Sequence, residues 1–285
     1  MELERTLSDS AGVCQPPRLG SVSHTTAGAP GTPRRYFHSL WLLSARDLRV
    51  RYATSVLGYL WSVLDPLVMS AIYWFVFTQV FHRGQVGEQP YIVFLITALL
   101  PWVWFNTAVG EFTRAFKKDA RLIRSTAIPR SIWVVRVILT KGLEFTFAIP
   151  VLVLFAVFAG AKPNWSLLLF PVAMIWQTVL LIGLGLLVAP LCVLWTDLER
   201  TTALILRALF YVSPIIYSFK DLPHQLHVIG ALNPLSGIFM LYRVGLFPGQ
   251  WQPEPVIIGA IVTVVFVALG LFTFRSLERD VLKEL

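Results

Sequence analysis

Six stretches of this chain are apolar over the length a helix needs to cross a bilayer, and no other feature constrains its fold as strongly. The hydrocarbon core is about 30 Å thick, so each crossing takes about 20 helical residues. The stretches occupy residues 57–81, 91–109, 132–159, 167–195, 198–217 and 255–274. Composition agrees: 56% of the 285 residues are hydrophobic and 14% are charged, where a soluble domain carries about a quarter charged. The expectation is an all-α polytopic membrane protein with six transmembrane helices in one domain over residues 35–285.

The fifth run is the weakest, because its uninterrupted part, 203–217, contains Arg207 and Pro214. A seventh candidate, 228–247, is broken by Gly230, Pro234, Gly237 and Gly245 and carries Asn233 and Arg243. Glycine and proline at that density suit a re-entrant or interfacial hairpin between helices five and six better than a spanning helix. Residues 1–34 are polar and rich in Ser, Thr, Gly and Pro, and read as a disordered cytoplasmic tail. No apolar core follows a basic start there, so the segment does not read as a signal peptide.

Charge placement tests the count. The chain has 24 Lys and Arg against 16 Asp and Glu, a net charge of +8. With the N-terminus inside, cytoplasmic segments hold the tail and pre-helix arginines, the Arg114–Arg130 cluster, Arg200, Arg207, Arg275, Arg279 and Lys283. Outer segments hold only Arg83, Lys162, Lys220 and Arg243. This follows the positive-inside rule with both termini cytoplasmic. A spanning seventh helix would put the C-terminal cluster outside and weaken the bias.

Residues 36–52 form an amphipathic pattern, with Phe37, Trp41, Ala45, Leu48 and Tyr52 on one helical face and Arg35, Arg46 and Arg49 toward the other. Such a helix lies along the inner membrane interface. It reads either as plain anchoring or as a surface for docking or for a phosphate headgroup, which guanidinium forks match well. Between the second and third runs, Arg114, Lys117, Lys118, Asp119, Arg121 and Arg124 surround the apolar Leu122 and Ile123. That is the shape of a short helix docking on another protein, or of an ordinary basic loop. Charges inside the runs are costly. Asp65 precedes Pro66, Lys141 and Glu144 are spaced to pair across one turn, and Arg136 falls at the interface. Aromatic residues are dense on the first two crossings: Tyr59, Trp61, Tyr73, Trp74, Trp102 and Trp104 either line a path for a glycan, together with Asp65, or form interfacial belts.

Several chemistries are absent. There is no G-x-x-x-x-G-K-[ST] phosphate loop, so the chain does not itself bind ATP in that way. No paired acidic motif sits in an outer loop, as a membrane glycosyltransferase would need. His224 and His227 have no third ligand nearby, so no metal site is assigned. Cys14 and Cys192 fall in a polar tail and an apolar run, against a structural disulfide.

Trp41, then Arg46-Asp47-Leu48-Arg49-Val50-Arg51-Tyr52, Ser55 to Trp61 and Asp65-Pro66-Leu67 together resemble the permease subunits of type-2 ABC exporters for polysaccharides (O-antigen, capsule, teichoic acid, galactan). Asp119 with Leu122-Ile123, Ile128-Pro129, Asp197-Leu198, Ser213-Pro214-Ile215 and Asn233-Pro234 extend the similarity toward the C-terminus. Asp65 departs from relatives, which often carry a neutral polar residue there.

The resemblance implies a non-catalytic, multi-pass permease of the bacterial inner membrane, working as a homodimer with two copies of a separate ABC ATPase. ATP and Mg would be bound by that partner, with no cofactor in this chain. Residues 36–52 become an interface helix, where Arg46, Asp47, Arg49, Arg51 and Tyr52 would recruit a pyrophosphate. Residues 116–124 become a coupling helix, with Lys117, Lys118, Asp119, Arg121, Leu122 and Ile123 meeting the ATPase. The loop 221–254 becomes the outer gate, with Asn233 and Pro234. The substrate would be a lipid-linked polysaccharide, and no nucleic acid is involved. The excess of Arg over Lys, common in GC-rich genomes, leans toward a galactan exporter. A drug or lipid permease of the same class, a membrane enzyme of lipid-linked sugar assembly and a channel are the rivals.

Overall fold

The computed structural model describes residues 33–52, 60–76, 79, 87–125 and 128–284. Every regular element among them is helical: α1 (Pro33–Tyr52), α2 (Trp61–Phe75), α3 (Tyr91–Phe112), α4 (Ala115–Lys118), α5 (Ala120–Ser125), α6 (Ser131–Phe158), α7 (Leu169–Leu194), α8 (Asp197–Val212), α9 (His227–Leu232), α10 (Pro234–Val244) and α11 (Pro253–Glu284). A 3₁₀ turn over Trp165–Leu168 leads into α7.

Four of the helical stretches are long and apolar enough to cross a membrane: Tyr91–Phe112, Ser131–Phe158, Trp165–Leu194 and Pro253–Val281. These match the second, third, fourth and sixth apolar runs. The first run is described only in part, as α2. The fifth becomes α8, a 16-residue helix, about 24 Å at 1.5 Å per residue. Asp197 and Glu199 occupy its first turn, where negative charge complements the helix dipole, and Pro214 follows its end.

The core is built on α3, α6, α7, α10 and α11. α7 and α11 pack most extensively because glycines let their backbones meet. A Cβ on Gly183 would fall 2.8 Å from Val267 N, and one on Gly270 would collide with the carbonyl of Gly183. The interrupted stretch after α8 is two short helices, α9 and α10, divided at Asn233-Pro234. Asn233 Oδ1 accepts the Leu235 N–H at 3.1 Å, and proline at the first helical position has no N–H to leave unpaired. Every residue from Leu235 to Val244 of α10 is buried.

α1 lies against α6. Leu40, Ser44 and Leu48, four residues apart, face the protein, while Phe37 and Trp41 are exposed. The aromatic stripe read from the sequence therefore divides: Leu48 packs inward, and the two aromatic rings point away from the rest of the chain.

Candidate functional site

Asp47 on α1, Asp119 between α4 and α5, and Arg136 on α6 converge at one end of the molecule. Arg136 is buried, its Nε 3.0 Å from Asp47 Oδ2, and its Nη2 donates to Asp119 Oδ2 at 2.5 Å. Its guanidinium also lies 4.8 Å from the Trp133 ring centroid, close enough for a cation–π attraction. Arg46 Nη2 stands 3.5 Å from both Asp47 Oδ1 and Asp119 Oδ1. Two cations thus balance two anions, which is what a buried ionic group requires.

Asp119 has φ −112° and ψ 22°, outside helical geometry. It splits the short helix expected over 116–124 into α4 and α5. Lys117, Lys118, Arg121 and Arg124 are exposed around this break, Leu122 is half-buried, and Ile123 is buried. Arg114 Nε donates to Glu199 Oε1 of α8 at 2.5 Å, and Arg130 Nη1 donates to Glu278 of α11 at 2.5 Å. These pairs tie α8 and α11 to the same end. Lys141, buried in α6, bonds Glu144 at 2.9 Å and stands 3.5 Å from Glu111, so the pairing expected across one turn is present.

An open crevice of 1240 Å³ lies between α1, α3, α6 and α8. Arg46, Asp47, Arg136, Lys141, Glu111 and Arg114 line it, together with Lys118, Arg200 and Arg207. The last three have no ion pair among the described residues, so the crevice carries uncompensated positive charge. Its walls suit an anion with several acceptor oxygens, such as a phosphate ester. Among the described residues no group of three or more His, Cys, Asp or Glu side chains could hold a metal. His224 and His227 stack on each other at 5.5 Å, and His227 Nε2 lies 3.0 Å from the carbonyl of Leu222. Cys192 is buried and free.

A second buried arginine sits at the opposite end. Arg243 of α10 donates from Nη2 to Ile215 O at 2.5 Å and from Nη1 to Pro214 O at 2.7 Å. It also reaches Tyr217 O and Phe94 O, both at 3.3 Å, and stacks 3.6 Å over the Phe94 ring. Asn233 Nδ2 donates to Ser213 Oγ at 2.8 Å. Asn233 and Arg243 together fasten the segment after α8 to α10.

The aromatic path candidates occupy different surroundings. Trp102 packs edge-on against Phe210 at 5.4 Å, and Trp104 stacks on Phe145 at 5.2 Å; both are buried. Tyr73 stacks on Phe210 at 5.8 Å, while Trp61 and Trp74 are exposed. Arg49 is exposed. Tyr59 lies outside the described residues, as do the side chains of Arg51, Tyr52 and Asp65. Sequence reasoning gave no role to Arg136 or Arg243, although an arginine in or beside an apolar segment signals function by its cost alone.

Residues 38–247 match the profile of the family described as ABC-2 type transporter. The chain is 33% identical over 243 residues to the O-antigen export system permease protein RfbA of Klebsiella pneumoniae, across 85% of this chain and 93% of that one. It is 27% identical to the protein of that name from Myxococcus xanthus, across 84% and 92%. The Polysialic acid transport protein KpsM of Escherichia coli is 23% identical, across 84% and 93%.

Proposed function

The chain belongs to the ABC-2 type transporter family of membrane proteins, and from that premise we propose that it is the permease subunit of an ATP-driven polysaccharide exporter. The observation that carries this reading is the similarity to an O-antigen export permease over nearly the whole of both chains. In this reading the protein spans the bacterial inner membrane six times, with α2 and α8 as the first and fifth crossings and both termini cytoplasmic. The end bearing α4 and α5 faces the cytoplasm. It meets an ABC ATPase, present in two copies and binding ATP and Mg, through Lys117, Lys118, Arg121 and the half-buried Leu122; Asp119 and Ile123, which the sequence also assigned to that contact, are turned into the protein, one bonded to Arg136 and the other buried in the core. A second copy of the chain completes the path, and α9 and α10 form the outer gate as re-entrant helices.

The substrate is a polyprenyl-pyrophosphate-linked glycan, with galactan for the cell wall as the specific choice. The positive crevice beside α1 supports an anionic headgroup, because guanidiniums bind phosphate oxygens in pairs. Arg46, Arg49 and Arg51 recruit that headgroup. The aromatic residues Tyr59, Trp61, Tyr73, Trp74, Trp102 and Trp104 then guide the sugar chain, the energy coming from the partner.

Reconstituting the chain with its ATPase and adding lipid-linked glycan tests the reading: glycan should raise ATP turnover. Stimulation by a drug or simple lipid, and by no glycan, would favour the rival permease class. Replacing Arg46, Arg49 and Arg51 with Gln is expected to cut transport at least about tenfold while membrane insertion stays normal; unchanged transport rejects the headgroup role.

A further inference from the structure

We propose that Arg136 is the positioning residue through which displacement of the α4–α5 segment reaches α1. The proposal rests on the reading above only in taking α4–α5 as the surface that meets the ATPase. α1 and α4–α5 share little direct packing; α1 and α4 each rest on α6. What joins them among the described residues is a charge cluster: buried Arg136 holds Asp47 of α1 at 3.0 Å and Asp119 of the α4–α5 break at 2.5 Å, and the half-exposed Arg46 of α1 adds a longer contact of 3.5 Å to Asp119.

The geometry makes this link stiff at the cation and divisible at the anions. Arg136 is 2% exposed and flanked by Trp133, so its guanidinium cannot swing into water. Asp47 and Asp119 sit on separate elements, at 21% and 11% side-chain exposure. Arg46, half exposed, touches both carboxylates from the α1 side. When α4–α5 shifts, Asp119 either draws the Arg136–Asp47 pair and α1 with it, or leaves a buried guanidinium partly unpaired, which is costly. Arg136 Nη1 makes no hydrogen bond among the described residues, so a donor is in reserve for a second arrangement of the two carboxylates. The consequence is that the helix bearing the crevice arginine Arg46 moves in step with the ATPase-facing segment.

The test uses the full chain assembled with its ATPase in nanodiscs, free cysteines replaced by Ser, and spin labels at exposed positions. One pair, His38→Cys with Arg279→Cys, reports α1 against α11. The other, Ser125→Cys with Arg279→Cys, reports α5 against α11. Trapping the ATPase with ATP and vanadate should shift both distances. Arg46→Gln, which removes the direct contact from α1 to Asp119, should leave the α1 shift in place; in that background Asp119→Asn and Asp47→Asn should each abolish it while the α5 shift persists, and Asp119→Glu should keep it. A merely structural role would not separate the two readouts. An α1 shift that survives both Asn substitutions overturns the proposal. So does an unsubstituted complex in which ATPase is bound and neither distance changes. A chain that recruits no ATPase takes down the functional reading, and this proposal with it.

Discussion

Arg136 and Arg243 are equally buried, at 2% exposure each, yet opposite ends of the molecule satisfy them by different means. Arg136 is held by carboxylates from two separate elements, with Arg46 completing a balanced set of charges. Arg243 is held by carbonyls and the face of the Phe94 ring, three of the carbonyls coming from the short segment 214–217 just past the end of α8. Those carbonyls follow the C-terminus of α8 and bond the guanidinium directly, while Asp221 and Glu88 favour its charge without forming an ion pair with it among the described residues. A carboxylate pair joins elements that can part, and the loss of one charge unbalances it. A carbonyl clamp seals one continuous segment to its neighbour and has no acidic partner whose removal releases it.

The largest effect separating the two ends should come from Arg136→Met. It leaves Asp47 and Asp119 facing one another without their buried cation, and the expected loss is on the order of 4 kcal/mol, read from thermal unfolding in detergent. Adding Asp47→Asn and Asp119→Asn should recover more than half of that loss. If it recovers none, the end is held by packing and the contrast with Arg243 fails.

Arg243→Met should cost about 3 kcal/mol, because several carbonyls lose their donor, and no companion substitution should rescue it. Arg243→Lys keeps the charge but lacks the planar fork that reaches Pro214 and Ile215 together, so it should recover only part of the loss. Full rescue by Lys would mean that charge alone matters at that end. The smallest effect is expected for Arg114→Gln. Its pair with Glu199 is 71% and 34% exposed at the two side chains, so the loss should stay below about 1 kcal/mol and fade further in high salt.

Much of the fold was readable from apolar run length. The run 91–109 became Tyr91–Phe112, 132–159 became Ser131–Phe158, and 167–195 became Trp165–Leu194. The last run was set at 255–274, but α11 continues to Glu284. Hydropathy registers where a helix leaves lipid, not where it stops being a helix. The extension is charged, and Glu278 and Lys283 find partners in Arg130 and Asp280. The break at Asn233-Pro234 was legible because capping and proline geometry are local. The orientation of α1 was less so. Lipid and the apolar side of α6 make similar demands on a side chain, so periodicity located an apolar stripe without deciding which of its residues meet protein.

The candidate site was legible as ingredients. The basic segment around Asp119 and the arginines of α1 stood out in the sequence, and Lys141 with Glu144 could be paired because they lie on one turn. Asp47, Asp119 and Arg136 could not be joined in the same way, since no local period relates them. Arg243 stands out in the sequence only as an outer cation that interrupts the seventh apolar candidate, and its carbonyl partners at 94, 214, 215 and 217 come from two distant segments.

By itself the sequence determined that this chain is a helical membrane protein of six apolar runs, with its positive charge gathered around two segments and without the G-x-x-x-x-G-K-[ST] motif. Those features follow from bilayer thickness, hydropathy and the presence or absence of contiguous motifs. The tertiary structure alone decided which charges meet. Burial makes an arginine depend on acceptors within about 3 Å, and α6 and α10 bring such acceptors from segments that are remote along the chain.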